Sequence, residues 1–441
     1  MSRSCGGYGT VAIRFQYYLT DPFHAMKIVF LNRFFYPDHS ATSQMLSDLA
    51  FYLADTGHNV AIITSRQRYD DPAADLPAAE TIRRVRIHRV RTPRFGRGNL
   101  IGRALDYLGF YLAAALRLRQ ILAPGDVVVA KTDPPLISIP AAWVARRRRA
   151  HLVNWLQDVF PEVAIALGVR GFASPLGRWL QALRNWSLRE ARMNVTIGER
   201  MRDHLLAEGV VADRITVIPN WADGEAIRPV AAEDNPLRRE WGLDSKFVVG
   251  YSGNLGRAHE FETILGAAER LPDEPGIVFL FIGDGAQMAR VRDAAAERGL
   301  SNIVFQPYQP RERLNMSLGA ADVHLVVLRP ELEGLIVPSK AYGSLAAGRQ
   351  IIFVGDAEGE IARMLRTASA GRDCPIGDPS RLAKIIQEMA RADDARGNSI
   401  AARQLFDGGY NLKASCTRFA TVFATLQVEV PSPATAATPY G

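Results

Sequence analysis

The sequence predicts an α/β protein made of two doubly wound, mostly parallel-sheet domains that face each other across a cleft. Three observations lead there. Short apolar runs alternate with stretches of helical periodicity, the pattern of parallel strands joined by crossover helices. The alternation breaks off near residue 220 and starts again near 247. A chain of 441 residues also exceeds what one ordinary core organises and suits two.

Residues 28–31 form the first apolar run. A polar loop follows over 32–43, then Leu46, Leu49, Ala50 and Leu53 at helical spacing. Gly57 closes that helix and 60–64 resumes as a strand, completing a βαβ unit. Further strands are expected at 85–90, 127–131, 151–155 and 194–197, and the first sheet ends at Ile218-Pro219-Asn220-Trp221. The second series runs through strands at 247–251, 277–282, 303–305, 323–327 and 351–354, with a helix over 260–271 and a last helix over 405–427. The chain therefore divides into a first domain, 26–222, a second, 223–404, and a helix, 405–427, that packs back toward the first. Residues 428–441, rich in Pro and Ala, are expected to fray. Residues 1–25 carry Arg3, Arg14 and Asp21 among polar and Gly residues, unlike a signal peptide. Met26 is read as the true start, and the residues before it as an unstructured leader or a mis-called start. Open α/β sheets bind ligands beyond the carboxyl ends of their strands, which puts the active site between the domains.

The overall charge of +7 is unevenly spread. Residues 26–222 hold 27 Lys/Arg against 17 Asp/Glu, a net +10, whereas 223–441 hold 24 against 28, a net −4. A basic first domain suits an anionic partner, although an Arg-rich composition with only six Lys also fits plain compositional bias. The three cysteines, Cys5, Cys374 and Cys416, are far apart and form neither a zinc motif nor a disulfide framework. The apolar run 107–116 is ten residues, where a membrane span needs about 20. Aromatic and aliphatic residues mixed with arginines over 100–122 suit instead a helix lying in an interface, or one packed on its own sheet.

Three segments of the second half carry the chemistry. Tyr251-Ser252-Gly253-Asn254-Leu255-Gly256-Arg257 follows a strand and opens toward a helix, as a phosphate-cradling turn does. Ile282-Gly283-Asp284-Gly285 ends the next strand with a second small-residue turn. A plain tight turn accounts for either one taken alone. The third segment is the acidic, Gly-bearing loop from Glu331 to Val337, then Pro338-Ser339-Lys340 and a helix of small residues. Ser339 is read as its N-cap. Lys340 in the first helical turn opposes the dipole unless an anion shares that helix end.

Together these segments resemble the retaining glycosyltransferases of family four, with their two-domain B-type fold of Rossmann-like halves. The likeness runs from Met26 to about Leu426. It includes Val304-Phe305 with Pro307-Tyr308, Ala320-Ala321-Asp322-Val323, Tyr36-Pro37, Gly57-His58-Asn59-Val60 and the crossover Ile218-Pro219-Asn220-Trp221-Ala222-Asp223. Trp155-Leu156-Gln157-Asp158-Val159-Phe160-Pro161-Glu162 with Leu167-Gly168-Val169 resembles a branch that transfers acetamido (fucosamine-type) sugars in bacterial surface-polysaccharide synthesis. The chain departs from the family at several contacts. The two glutamates spaced across the donor loop align with Leu335 and Gly343, leaving Glu333 two residues away. The Arg and Lys that grip the diphosphate align with Asn254 and His259, and the His before Asp158 is Gln157.

The resemblance implies a metal-independent transfer, without cofactor, from a nucleotide-sugar donor to a lipid-linked (polyprenyl diphosphate) or saccharide acceptor, in O-antigen or exopolysaccharide synthesis. The enzyme is expected in the cytoplasm, peripheral on the anionic inner face of the plasma membrane. Donor-side residues are then Gly253, Asn254, Arg257, His259, Gly283, Tyr308, Gly334, Leu335 and Ser339, with Lys340, Arg257 and His259 facing the departing diphosphate. Lys340, Asp158 and Glu333 are the catalytic candidates. Asp158 either orients a sugar hydroxyl or simply starts a turn, and His39 lies on the acceptor side or in solvent. A nicotinamide-dependent oxidoreductase is disfavoured because Asn32-Arg33-Phe34-Phe35-Tyr36-Pro37 replaces the Gly-x-Gly-x-x-Gly that pyrophosphate needs. No nucleic-acid motif accompanies the basic half. A non-catalytic sugar-nucleotide binder of the same fold remains the alternative that the missing glutamates raise.

Overall fold

The computed structural model describes residues 26–428 apart from 39, 70, 72, 96–99, 273, 275, 393 and 394. The leader, the tail beyond 428 and His39 lie outside the described residues.

The first half runs β1 (Lys27–Leu31), α1 (Ala41–Asp55), β2 (Asn59–Ser65), β3 (Ala79–Ile82), β4 (Val85–Val90), α2 (Leu100–Ile121), β5 (Val127–Lys131), α3 (Ser138–Arg148), β6 (His151–Trp155), α4 (Glu162–Ala166), α5 (Pro175–Glu190), β7 (Met193–Thr196), α6 (Glu199–Ala207) and β8 (Ile215–Val217). Its eight strands lie in the order β3-β4-β2-β1-β5-β6-β7-β8. Every pairing is parallel except β3 with β4, an antiparallel edge hairpin that the apolar pattern misses because Ala79–Ile82 is only partly buried. Strands β1 and β5, covered on both faces, are apolar but for Lys27 at the start of one and Lys131 at the end of the other, as two-sided burial requires.

The second half runs α7 (Pro236–Glu240), β9 (Phe247–Ser252), α8 (Glu262–Glu269), β10 (Ile277–Ile282), α9 (Met288–Glu297), β11 (Ile303–Gln306), α10 (Leu314–Gly319), β12 (Val323–Val327), α11 (Lys340–Ala346), β13 (Gln350–Val354), α12 (Glu360–Ala368), β14 (Gly371–Cys374), α13 (Pro379–Arg391), α14 (Ala395–Gly409) and α15 (Leu412–Val428). The six strands are all parallel, in the order β11-β10-β9-β12-β13-β14.

The single helix expected over 405–427 is two. Gly408 and Gly409 end α14, and Asn411 restarts the chain by accepting the Ala414 N–H at 2.9 Å, an N-cap that begins α15. Asn411 also pairs as a bridge with Ala222. Helix α15 lies on the first sheet, where Phe419 packs 4.8 Å from Trp155 and 6.2 Å from Trp221, ring centre to ring centre. A second cluster joins the halves: Leu156, Val159 and Met201 share one buried core with Leu332, Leu335 and Val337.

Candidate functional site

Strand order decides where the ligand crevice lies. In each sheet the direction of winding reverses once: β1 sits between β2 and β5, and β9 between β10 and β12. Loops leaving such a reversal go to opposite faces and leave a crevice at the carboxyl ends. In the second half these loops are 253–261 after β9 and 328–339 after β12, so topology alone brings the Gly253 turn and the Lys340 helix together.

The turn itself is built for close backbone approach. Gly253, Gly283 and Gly285 have φ of +121°, +129° and +138°, a region that side-chain-bearing residues rarely enter. A Cβ on Gly283 would meet the Gly253 carbonyl oxygen at 2.5 Å, and one on Gly285 would meet the Leu255 nitrogen at 2.6 Å. Two hydrogen bonds, Gly253 N–H to Ile282 O and Leu255 N–H to Asp284 O, both 2.8 Å, zip the two turns together.

Lys340, half-buried in the first turn of α11, points its ammonium at this turn. Nζ donates to the Tyr251 hydroxyl and to the Asn254 carbonyl at 3.4 Å, and lies 3.9 Å from the centre of the Tyr251 ring. No carboxylate offsets the burial, and its pKa falls to about 7. The site thus holds an amine whose charged form has lost water and gained no counter-ion.

His259 stands on the same turn. Burial, followed by the Lys340 charge, pushes its pKa to about 3, so the ring is a neutral imidazole. Its Nδ1 lies 3.1 Å from the Gly256 amide nitrogen and 3.2 Å from the Gly256 carbonyl oxygen, so the ring is fixed on the backbone of its own turn. Ser339 departs from expectation: it stands at the N-cap position with helical φ and ψ of −64° and −21°, and its side chain makes no capping bond. Arg257 spends one donor on the carbonyl of Leu167, 2.6 Å away in the first domain. Tyr308, 56% exposed, stands on the loop after β11 with its hydroxyl at the Asp284 amide, on the side of the crevice that faces Tyr69 of the first domain.

Across the crevice, the 333–340 loop docks on the end of β6. Val159 N–H donates to Leu335 O at 2.9 Å, and Asp158 pairs as an isolated antiparallel bridge with Ile336. Leu335 is therefore a buried interdomain contact whose carbonyl is already used. Gly334, at φ +75°, packs where a Cβ would meet the Arg200 carbonyl at 3.1 Å. Glu333 turns away toward α12: its Oε2 accepts the Glu360 N–H at 3.2 Å, and Asp356, Glu360 and Arg200 are its charged neighbours. Burial first, then those acids, raise its pKa to about 7. This contact holds Glu333 against the start of α12.

Asp158 lies three residues beyond the end of β6. Burial raises its pKa to about 6 against a hydrogen bond from Thr132, and its Oδ1 is buried without a partner. Sequence reasoning missed Thr132 and its neighbour Lys131. Lys131, 1% exposed at the end of β5, donates to Thr42 O at 2.8 Å and sits 3.8 Å from the Trp155 ring centre. The one available signal was a lysine closing the otherwise apolar run Val127-Val128-Val129-Ala130. Gln157 ties the site to the interdomain crossover, donating to Asn220 Oδ1 at 2.9 Å.

Among the described residues one group has metal-ligand types close together: Glu162, His204 and Glu208. Arg184 already holds Glu162, while Gln181 and Asn185 bond Glu208. The Arg184 guanidinium thus already balances the charge of Glu162.

Known proteins point to the same class. Residues 41–221 match the glycosyl transferase 4-like domain and residues 234–402 the glycosyl transferases group 1 family. The chain is 32% identical to the probable glycosyltransferase WbjE of Pseudomonas aeruginosa, over 76% of this chain and 84% of that protein. It is 26% identical to the putative colanic acid biosynthesis glycosyl transferase WcaI of Escherichia coli K12, over 78% and 86%. Among solved structures, Anabaena HepE in complex with UDP-glucose superposes with a TM-score of 0.67 at 15% identity, over 91% of this chain and 100% of that one. The chain belongs to the glycosyltransferases, and its two parallel-sheet α/β domains have the GT-B fold. It is an enzyme of sugar transfer.

Proposed function

We propose that this glycosyltransferase moves a sugar, with retention of anomeric configuration, from a nucleoside diphosphate sugar to a lipid-linked or saccharide acceptor in cell-surface polysaccharide synthesis. The observation that carries this is the uncompensated Lys340 ammonium over the glycine turn at 253–259 and 283–285. A diphosphate laid on that turn supplies the missing counter-ion, and charge that grows as the sugar departs is stabilised by a donor already in place. The bond from C1 to the diphosphate oxygen breaks, the acceptor oxygen bonds to C1 on the same face, and the acceptor proton passes to the departing phosphate. No side-chain base and no metal ion is needed for that balance. Asp158 orients a sugar hydroxyl from the first-domain side, and Tyr308 packs near the base.

In this reading 26–222 takes the acceptor, 223–404 takes the donor, and Glu333 shapes the donor loop through α12. A UDP-linked acetamido sugar is the proposed donor, on the likeness of residues 155–169 to that branch. WcaI, named for colanic acid, and HepE, solved with UDP-glucose, support a polysaccharide setting and a uridine nucleotide. The membrane side of the reading rests on α2. Ile101, Leu105, Leu108, Leu112 and Leu116 form one stripe along it, each between 43% and 76% exposed, while Phe110, Ala114 and Leu118 fill the opposite face. A helix apolar on both faces needs a second apolar neighbour. A bilayer surface fits, given the basic charge of the first domain, and no helix among the described residues is long and apolar enough to span a membrane. The direct test is transfer from a panel of UDP-, GDP- and dTDP-sugars in EDTA. Product from a UDP-sugar is expected. Activity that disappears in EDTA and returns with Mg²⁺ or Mn²⁺ would overturn the metal-free mechanism.

A further inference from the structure

A second polar pocket lies in the first domain, away from the donor turn. It encloses about 240 Å³ and is lined by Arg66, Gln67, Asp75, Arg91, Thr92 and Arg94, at the carboxyl ends of β2 and β4. Three guanidinium groups against one carboxylate leave it at +2. Asp75 is shared by Arg66 at 3.1 Å and Arg94 at 3.3 Å, and both arginines are further fixed on backbone carbonyls, Leu76 at 2.7 Å and Ala74 at 3.2 Å. Arg91, exposed at the rim, has no carboxylate partner among the described residues, and the Thr92 hydroxyl oxygen is buried with no hydrogen-bond partner. A site that fixes two arginines, leaves a third uncompensated and keeps a hydroxyl free is built for a multidentate anion.

Its position says which anion. The wall 91–95 is braced on α2: the Phe95 N–H donates to Asp106 Oδ1 at 3.0 Å, and Pro93 packs so tightly on Gly109 that a Cβ there would meet Pro93 Cδ at 2.3 Å. The other wall leads into the crevice. Gln67 donates to Pro93 O at 3.2 Å, and Tyr69, two residues on, is held by Asp38 and lies on the Tyr308 side of the crevice. The pocket therefore stands between the exposed apolar stripe of α2 and the crevice mouth. That is where the charged link between a sugar and its lipid must lie. We propose that this arginine pocket binds the diphosphate of a lipid-linked acceptor, with Arg91 and Thr92 as its free donors. The inference rests on the lipid-linked form of the proposed function and adds the site at which the carrier is gripped.

The test uses the full chain, with farnesyl diphosphate as probe in calorimetry, in the presence and absence of a saturating UDP-sugar. Binding is expected to persist with the donor site filled, and Arg91→Ala should weaken it about ten-fold while UDP-sugar affinity stays unchanged. Thr92→Val, a shape-conserving change, should weaken it in the same direction. Farnesyl diphosphate binding that the UDP-sugar abolishes, or that neither substitution alters, overturns the proposal. Vesicles of phosphatidylglycerol without prenyl diphosphate distinguish the source of the phosphate: an equal Arg91 effect there assigns the pocket to bulk headgroups and overturns the carrier assignment. Transfer to a soluble saccharide acceptor reads the enzyme's function separately, because the pocket variants should retain it.

Discussion

Donor affinity should depend on pH through one amine. The Lys340 pKa near 7 means that about half of the free protein carries the charge at pH 7, about ten in eleven molecules at pH 6 and about one in eleven at pH 8. A bound diphosphate favours the ammonium and raises that pKa. If only the charged form binds well, affinity for a UDP-sugar falls about ten-fold from pH 6 to pH 8, and binding at pH 8 takes up close to one proton. The sign follows from the group: an amine depressed when free and restored when bound binds best below its free pKa. A UDP-sugar is the suitable probe because both its phosphates are esterified and its charge is constant over this range. Asp158 near 6 and Glu333 near 7 gain negative charge over the same interval, whereas His259 near 3 stays neutral throughout. Lys340→Met separates the contributions: it should weaken binding roughly ten-fold or more at pH 6, since a charge-assisted bond contributes about 1.5–3 kcal/mol, and flatten most of the slope. Calorimetry in two buffers of different ionisation enthalpy measures both affinity and proton uptake. Wild-type affinity that is level from pH 6 to 8, with no proton taken up, refutes the argument that an uncompensated Lys340 receives the diphosphate.

Three further outcomes are expected. Phe419→Ala, at the contact of α15 with Trp155 and Trp221, should cost about 3–5 kcal/mol in urea unfolding, and a loss below about 1 kcal/mol would show that α15 is not integral to the first core. Glu333→Gln should raise the melting temperature at pH 8 and leave it nearly unchanged at pH 4. The native pKa is raised, so the stability of the protonated carboxyl is present at low pH and lost as pH rises through about 7; an equal effect at both pH values would contradict this. Flotation with anionic liposomes should recover the protein at low salt, fade above about 0.5 M salt and fail for Leu112→Glu/Leu116→Glu; equal recovery with neutral and anionic vesicles would remove the membrane role of α2.

What the sequence determined by itself is local and periodic. The apolar runs at 28–31, 127–131, 247–251 and 323–327 became inner strands because continuous apolar character requires burial on both faces. Gly253, Gly283 and Gly285 marked tight turns because few other residues tolerate positive φ. The weaker edge elements, β3, β8 and β14, escaped notice because short, half-exposed strands carry little pattern. The charge states and partners of the site were decided only by tertiary structure, because burial and proximity depend on residues distant in the chain. His259 reads only as a residue facing the diphosphate, and that its ring is held neutral follows from burial and from Lys340, far along the chain. Glu333 reads as a catalytic candidate, and only the fold shows one of its oxygens bonded to the start of α12. Leu335 reads as a donor-loop residue until Val159 takes its carbonyl, and Lys131 reads as a strand end until the fold encloses its ammonium against Trp155. Periodicity reports which face of an element is apolar. Which ionisable groups then meet, and how much water each retains, is settled where separate elements converge at the carboxyl ends of the two sheets.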